Sequence, residues 1–452
     1  MNSLTKHITA AAFAAIAALP VQARLSFSGT TLPVVTAEAD RASGIEAIYV
    51  LSQTDGVTIS YNATSSSVTW NRYGAPGTPM TEVDGVVRNG NTYTITAGSG
   101  DTGYVISDGT AQHYFWVTDY SGHRLDISAV NISPESACDR TVLDISGTGD
   151  AIRYYSMSGR GFDLSRDIKI SWNTLRYDSE QQTWLQYRQT ETMSWLHNVT
   201  GVTAPFCDTD FTVSGDRFLE AWGMGQSVSS PTYTAIAVSA ETSAEQESRD
   251  NSNEKNPGTD GLGGSAPAVI TFTARPTDAV VFREWQFSRT EGFEDIDRRF
   301  SQDELTYTFE EEGTLYVRYQ CSDAGGQCFY ESQTYTVSIG ASSIECPNAF
   351  SPNGDGRNDE WKVSYQSIVS FECHIFNRWG QKMCSFTNPA EGWDGRYKGK
   401  TVPTGVYFYV IKATGADGKE YKLSGDINIL HKGRSTGTSG GDAGGGGETP
   451  AL

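Results

Sequence analysis

Short stretches of alternating apolar and polar residues recur along positions 24–132 of the chain. Segments such as IEAIYVLS, GVTISYN, NTYTITA and HYFWVTDYS follow one another at a spacing of roughly ten residues, with Gly, Asp, Asn and Pro between them. Alternation with a period of two places successive side chains on opposite faces of a strand. Several short strands at this spacing are typical of a sandwich. We therefore predict an immunoglobulin-like β-sandwich over residues 24–132.

A second series of strands follows over residues 133–240, and a third over residues 266–341. The second is rich in aromatic residues, as in DIKISWNTLRY and WLQYRQTETMSWL, and is predicted to be another immunoglobulin-like sandwich. The third contains AVITFTARP, a W-x-F strand, GTLYVRYQ and a closing YTVSI. This order resembles the PKD-type module of bacterial surface proteins. The fold class predicted for the chain is all-β, with tandem sandwich modules.

Residues 241–265 interrupt the strand pattern. The segment ETSAEQESRDNSNEKNPGTDGLGGS contains almost no large apolar residues. Such a composition cannot bury enough apolar surface to offset the entropy lost on ordering. The sequence therefore predicts a flexible acidic linker here.

Composition narrows the class of protein. The chain of 452 residues carries a formal net charge of −20, which disfavours nucleic acid as a partner because phosphate neutralisation requires Lys and Arg.

Residues 1–23 have a polar start with Lys6, an apolar stretch and a small-residue exit, which is the layout of a secretory signal peptide. No later segment is apolar enough for a transmembrane helix. Residues 433–452 form a Gly-rich tail that is predicted to be disordered.

Cysteine usage fits an exported chain with disulfides. There are seven cysteines and no CxxC pair, so disulfides are favoured over a zinc site. Cys321 and Cys328 bracket a turn, and Cys138 and Cys207 lie near opposite ends of the second module, so each pair is a candidate disulfide. Three cysteines remain, of which one is expected to be unpaired: Cys346, Cys373 and Cys384. Within this last group, Cys373 and Cys384 are the disulfide candidates.

Four ordered motifs distinguish residues 342–432 from the rest of the chain. They are PNAFSPNGDGRNDEW, FECHIFNRWGQKM, GWDGRYKGKTVPTGVYFYVIKA and KLSGDINIL. Together they resemble the gliding-motility-associated C-terminal domain of Bacteroidetes, the type B sorting signal of the type IX secretion system. The residues that carry the resemblance are Asn348, Phe350, Pro352, Asn353, Gly354, Asp355, Gly356, Asn358, Asp359, Asn377, Arg378, Trp379, Gly380, Trp393, Asp394, Gly395, Pro403, Gly405 and Tyr407.

The resemblance implies a destination and a partner. A protein with this domain is expected to cross the inner membrane with its signal peptide, to engage the type IX machinery, and to end at the cell surface or outside the cell. The predicted fold of the domain is an antiparallel β-sandwich. Its strand VYFYVIKA should direct Tyr407 and Tyr409 to one face and Val406, Phe408 and Val410 to the other.

The SPNGDG stretch has two interpretations. As a calcium loop it would use Asn353, Asp355 and Asp359, but Lys362 stands where a strong bidentate Glu is expected. As a turn, its Asn and Asp side chains would bind local backbone, with Gly354 and Gly356 at positive φ. The turn is favoured and no cofactor is predicted.

No catalytic motif stands in its required context, so the favoured hypothesis is a non-catalytic surface protein. The strand-rich modules would then serve adhesion, partner binding or surface structure. One alternative is a glycan-binding protein in which Trp116, Trp172 and Trp195 form a platform for sugar rings. The other is a secreted hydrolase whose paired carboxylates meet only in the folded chain.

Overall fold

A computed structural model describes residues 25–257 and 261–430. The predicted signal peptide and Gly-rich tail lie outside these residues. The regular secondary structure of the described chain is almost entirely β-strand, as the sequence predicts, and the chain divides into two compact units between Ala237 and Val238. Among the described residues, no helix combines the length and apolar character needed to cross a membrane.

The first unit begins with a two-sheet sandwich whose sheet orders are β1-β4-β8-β7 and β2-β3-β10-β9-β5-β6. Its strands are β1 (Leu25–Ser28), β2 (Val35–Ala37), β3 (Ala47–Leu51), β4 (Thr58–Asn62), β5 (Val68–Tyr73), β6 (Thr81–Glu82), β7 (Val87–Asn89), β8 (Thr92–Thr96), β9 (Thr102–Asp108) and β10 (Ala111–Asp119). Two short 3-10 helices span Arg41–Ser43 and Tyr120–Gly122.

The second module of this unit has sheets β11-β12-β17, β13-β14 and β16-β15-β18-β19. Its elements are β11 (Asp126–Ile132), β12 (Arg140–Thr148), β13 (Ile152–Tyr155), β14 (Gly161–Leu164), β15 (Ile168–Asp178), β16 (Thr183–Met193), β17 (Val199–Thr203), β18 (Thr212–Gly215), α1 (Arg217–Ala221) and β19 (Gln226–Ser229).

These two modules share a hydrophobic core. Strand β10 is buried on both faces, because Phe115 packs in the core of the first sandwich while Trp116 packs in a cluster that also contains Trp172 and Phe211 of the second module. The sequence predicted two sandwiches in series but not this common core. An aromatic strand that alternates large residues on both faces is suited to burial on both sides.

The second unit begins with a sandwich of sheets β20-β22-β25 and β21-β28-β26-β23-β24, with β27 paired to β26. Its strands are β20 (Ala240–Gln246), β21 (Leu262–Gly264), β22 (Ala268–Pro276), β23 (Phe282–Ser288), β24 (Arg298–Phe300), β25 (Glu304–Phe309), β26 (Gly313–Ser322), β27 (Phe329–Glu331) and β28 (Tyr335–Ile339).

The prediction of a flexible linker over residues 241–265 is wrong for its described part. Strand β20 pairs with β22 along its whole length, from Ala240 opposite Pro276 to Gln246 opposite Ile270. Strand β21 pairs in parallel with β28. Main-chain hydrogen bonds to strands that are already buried can order a polar segment. Its lack of apolar residues was therefore a poor guide to its structure.

The C-terminal module completes the second unit. Its five-stranded sheet has the order β30-β37-β36-β32-β33, and two-stranded ladders join β29 to β31 and β34 to β35. Its strands are β29 (Ser343–Glu345), β30 (Ala349–Phe350), β31 (Ser364–Gln366), β32 (Ile368–Phe376), β33 (Lys382–Phe386), β34 (Arg396–Tyr397), β35 (Lys400–Thr401), β36 (Gly405–Gly415) and β37 (Glu420–Ile429).

Candidate functional site

The C-terminal module has a hydrophobic core made only of its own residues. Trp361 and Trp393 are fully buried at its centre and exchange two main-chain hydrogen bonds, 2.9 and 3.0 Å long. Phe350 and Tyr407 pack on Trp393, with ring centroids 5.6 and 5.1 Å away. Phe350, Trp393 and Tyr407 are three of the residues that carried the resemblance, so this part of the sequence pattern converges on one aromatic cluster.

The SPNGDG stretch forms a tight loop that follows β30. Both carboxylate oxygens of Asp359 accept main-chain hydrogen bonds, from Asn353 and Gly354 on Oδ1 and from Gly356 on Oδ2, at 2.7–2.9 Å. These bonds, led by those from Gly354 and Gly356, lower the pKa of Asp359 below its ordinary value. Gly354 and Gly356 have φ of 76° and 79°. The carboxylate therefore organises backbone, as in the turn interpretation.

Asn353 and Asp355, the other two calcium candidates, belong to the same loop. Asn353 Nδ2 donates to Asp355 Oδ2 at 2.9 Å, and the main-chain amide of Arg357 donates to Asp355 Oδ1 at 2.9 Å. Among residues 25–257 and 261–430, no group of three or more His, Cys, Asp or Glu side chains is arranged to hold a metal ion. Next to the loop lies an open cleft of about 580 Å³, lined by Ser252, Pro347, Ala349, Phe350, Gly356, Asn358, Asp359, Glu360 and Lys362.

The Asn377–Gly380 turn joins β32 to β33. Asn377 Oδ1 accepts hydrogen bonds from the main-chain amides of Trp379 and Gln381, both at 3.0 Å, and Gly380 has φ of 78°. The Arg378 guanidinium lies 4.3 Å from the centre of the Trp379 ring, which is 75% exposed. The turn thus presents a large aromatic surface to solvent.

The remaining motif residues stabilise local turns and strand ends. Asp394 Oδ1 accepts from the amide of Arg396 at 3.0 Å, and Tyr407 Oη donates to the carbonyl of Pro403 at 3.0 Å. The carbonyl of Asn348 accepts from the amide of Asn428 at 2.8 Å. The main-chain carbonyl of Asn358 accepts a hydrogen bond from the main-chain amide of Ser351. The α-carbon of Gly395 faces Pro352, and Gly405 is the first residue of β36.

Residues 251–255 contact the C-terminal module, and no pattern in the sequence predicted this contact. Asn253 Nδ2 donates to the carbonyls of Val363 and Pro389 at 2.7 and 2.8 Å. The main-chain amide of Lys255 donates to the carbonyl of Tyr365 at 2.8 Å. Burial, followed by the charge of nearby Glu254, raises the pKa of Tyr365 to about 12. This polar strap, residues 251–255, was missed because the groups that it contacts are far away in sequence.

A pair of serines strengthens the same connection within the second unit. The amide of Ser367 donates to Ser265 Oγ at 2.8 Å, and Ser367 Oγ accepts from the amide of Ala266 at 3.2 Å. Ser265, Ala266 and Ser367 are fully buried. The C-terminal module therefore keeps its own core while being tied to the preceding sandwich by directional polar contacts.

The predicted disulfide pairs are not formed. Cys138 and Cys328 are each disulfide-bonded, but Cys207 and Cys321, their predicted partners, retain their thiols. Cys207 Sγ instead accepts a hydrogen bond from Gln186 at 3.7 Å.

The candidate pair of the C-terminal module is also unformed. Cys373 and Cys384 are thiols, as is Cys346. Cys373 lies opposite Phe386 in the β32–β33 ladder, and Cys384 lies opposite Ile375. Burial raises the pKa of Cys373 to about 12. Cysteine spacing cannot reveal such cross-strand positions, so sequence alone was a poor guide to the pairing.

The structure also rules out the predicted tryptophan platform in its original form. Trp116 and Trp172 are at most 1% exposed and pack in the shared core of the first unit, while Trp195 is half-buried. A side chain without exposed surface cannot stack on a sugar ring. The glycan-binding alternative therefore loses two of its three rings.

Comparisons with known protein families identify two domains in the chain, one of which coincides with the C-terminal module. Residues 344–429 match the model of the CHU_C type IX secretion signal domain, and residues 130–230 match that of the fibronectin type III domain. No match was found among curated proteins.

Two solved structures are similar to parts of the chain at low TM-scores. Dimeric latent PorU from Porphyromonas gingivalis is similar at 10% identity and a TM-score of 0.15, over 71% of this chain and 35% of that one. Fibronectin(III)-like modules of CbhA from Clostridium thermocellum are similar at 11% identity and a TM-score of 0.18, over 41% of this chain and 98% of that one. The present chain thus covers about a third of the length of PorU, and neither similarity carries an argument about function.

A secretion signal of this kind implies export through the type IX system to the cell surface or the extracellular space. The motifs that suggested it in the sequence converge in one folded module with its own core. The chain carries a type IX secretion signal domain over residues 344–429, with a fibronectin type III domain upstream of it.

Proposed function

We propose that this chain is a non-catalytic protein of the cell surface or extracellular space, and that its C-terminal module is the sorting signal that the type IX machinery recognises. The observation that carries the proposal is the match of residues 344–429 to the type IX secretion signal domain. The core of this module, made only of its own residues, supports a role as a separate recognition unit. The signal peptide of residues 1–23 would supply the earlier step across the inner membrane.

The upstream modules would then be the cargo. The two domain types matched in the chain are a secretion signal and a fibronectin type III domain, which are not catalytic kinds. Sandwich modules in series present extended surfaces and loops to partners. We propose that they act in adhesion, partner binding or surface structure, with surface glycans or other surface proteins as the classes of partner.

Cell fractionation of a strain with a type IX system tests the delivery role. The full chain should reach the surface or the medium, whereas a variant lacking residues 343–452 should remain in the periplasm. A variant lacking only residues 433–452 separates the effect of the tail from that of the folded module. Surface delivery of the variant that lacks residues 343–452 would refute the proposal.

A further inference from the structure

The outer face of the C-terminal sheet carries an apolar stripe on its central strand. Val406, Phe408 and Val410 of β36 are 45%, 44% and 41% exposed. Tyr407 and Ile411, at alternating positions of the same strand, face the core. Opposite Phe408 on β32 stands Phe376, which is half-buried. We name Val406, Phe408, Val410 and Phe376 the outer stripe.

The outer stripe continues toward an exposed tryptophan. Phe376 is the last residue of β32, and the turn that follows it holds Trp379, with Arg378 stacked on its ring. Single exposed apolar residues are common on protein surfaces, but a contiguous row beside an exposed Trp and Arg is characteristic of an interaction site. Trp and Arg are also among the residue types that dominate binding energy at protein interfaces.

The other sides of the module are already in use. One face of the sheet packs on the module's core, and the strap and Ser265 contact Val363, Tyr365 and Ser367 on the side of the preceding sandwich. Among the described residues of the second unit, none covers the outer stripe in this way. A signal domain must be contacted by another protein, and the outer stripe is an exposed apolar surface of the described module that is suited to such a contact.

We propose that the outer stripe, together with Trp379, is the surface by which the type IX machinery recognises this module. This inference rests on the proposed delivery function and names the part of the module that performs it. The partner it fits is a protein surface with an apolar centre that packs face to face on the sheet, as two sheets pack in a sandwich.

Charges around the outer stripe add a second requirement for the partner. The flanking outer-face charges are Lys382, Lys412, Lys422, Glu372, Glu420 and Asp426, and Arg378 lies in the adjoining turn. Cations exceed carboxylates in this rim, so a partner with carboxylates around its apolar centre is complementary to it. Carboxylates within the rim also make an anionic membrane surface a poorer match than a protein.

Secretion of full-length variants tests the inference. Phe408→Glu and Val410→Lys replace side chains that are already exposed, so their thermal unfolding should resemble that of the wild type. Each should lower the fraction of the chain at the surface about tenfold and accumulate folded protein in the periplasm, the loss expected for one interface hot spot. The matched control is Val87→Glu, at a 65% exposed strand position of the first module, which should be delivered normally.

The deletion of residues 343–452 separates failure of this inference from failure of the delivery role. If the deletion blocks export and both stripe variants are delivered at wild-type levels, the outer stripe is not the recognition surface although the module is the signal. If the deletion variant is itself delivered, both proposals fall. Should either stripe variant unfold, Trp379→Ala, in a turn on the surface, provides the same readout without touching the sheet.

A photo-crosslinking amino acid at position 408 of the full chain identifies directly the molecule that contacts the outer stripe. The expected product in living cells is an adduct with a component of the type IX machinery, absent when the crosslinker stands at position 87. An adduct with a second copy of this chain would overturn the inference in favour of a homodimer. Binding of the full chain to vesicles of outer-membrane lipid that Phe408→Glu abolishes would overturn it in favour of a membrane surface.

Discussion

Arg166 and Asp216 form an ion pair in which both side chains are at most 1% exposed. Arg166 Nε lies 2.8 Å from Asp216 Oδ2. The rest of the guanidinium donates to the carbonyls of Asp150 and His123, and Asp216 also accepts from Tyr120 Oη at 2.9 Å. The pair thus joins the end of the first module to the second, and its polar atoms are well supplied with partners.

Removal of one member should destabilise the first unit strongly. Arg166→Met leaves the Asp216 carboxylate buried without its cation, and breaking a buried pair in this way costs about 3–5 kcal/mol. Urea unfolding of the full chain, followed by tryptophan fluorescence, should show this loss in the transition of the first unit.

The exposed pair of Arg153 and Asp163, 3.2 Å apart, is the matched control. Arg153→Met should lower stability by less than about 1 kcal/mol, because solvent screens exposed pairs. Equal effects of the two substitutions would show that the buried pair does not hold the modules as inferred.

The thiols and disulfides of the chain can be counted chemically. The five thiols are Cys207, Cys321, Cys346, Cys373 and Cys384. Protein denatured without reductant should therefore react with five equivalents of a thiol reagent, and with seven after reduction. A count of one or three before reduction would instead favour the pairs that the sequence suggested.

Rates of alkylation in the folded protein add a second readout. Cys373 should react last, because burial raises its pKa to about 12 and the thiolate is the reactive form. Cys373→Ser should remove this slow phase and leave the faster phases unchanged. A fast reaction at Cys373 would mean that the core around it opens readily.

The two faces of β36 could be predicted from the sequence, whereas the order of residues 241–265 could not. In β36 the alternation of Tyr407 and Tyr409 with Val406, Phe408 and Val410 predicted the two faces correctly, because side-chain direction in a strand follows from local geometry alone. In residues 241–265 order comes from pairing with β22 and β28, which are distant in sequence.

The contacts of the candidate site likewise divide into those that could be predicted from the sequence and those that could not. The Asn377–Gly380 turn was predictable because an Asn side chain and a Gly at positive φ act within a few residues. The Asn253 contacts to Val363 and Pro389 were not, because they depend on how two modules meet. Likewise, alternation predicted that Val406 and Phe408 share a face, but only the structure shows that this face is uncovered.

The strap should contribute measurably to the stability of the C-terminal module. Asn253→Ala removes the donor to the carbonyls of Val363 and Pro389, and loss of a partner for a buried polar group costs about 1–3 kcal/mol. Hydrogen exchange of the amides in β32 and β36 of the full chain should accelerate accordingly.

Lys255→Ala is the control within the same segment. Its ammonium pairs with Glu345, which is 70% exposed, at 2.7 Å, so removal of the side chain should cost less than about 1 kcal/mol. The main-chain bond from residue 255 to Tyr365 is unaffected. If Asn253→Ala changes exchange no more than Lys255→Ala does, the strap is not a stabilising contact.

The loop closed by Asp359 should respond to acid in a defined direction. Hydrogen bonds from Gly354 and Gly356 hold the pKa of Asp359 below its ordinary value, so the carboxylate stabilises the folded loop above the unfolded-state pKa. This stabilisation is lost as the pH falls through the folded-state pKa. Amide exchange at Gly354 and Gly356, corrected for its intrinsic pH dependence, should lose protection in that range.

Asp359→Ala should reproduce the acid form at neutral pH. It removes the acceptor for the amides of Asn353, Gly354 and Gly356, so their exchange should quicken, while Glu360→Gln, at an exposed ion pair with Lys362, should leave it unchanged. Added calcium should not slow exchange in the wild type, because both Asp359 oxygens already accept backbone hydrogen bonds. Calcium-dependent protection at Gly354 or Gly356 would show instead that the loop is an ion site.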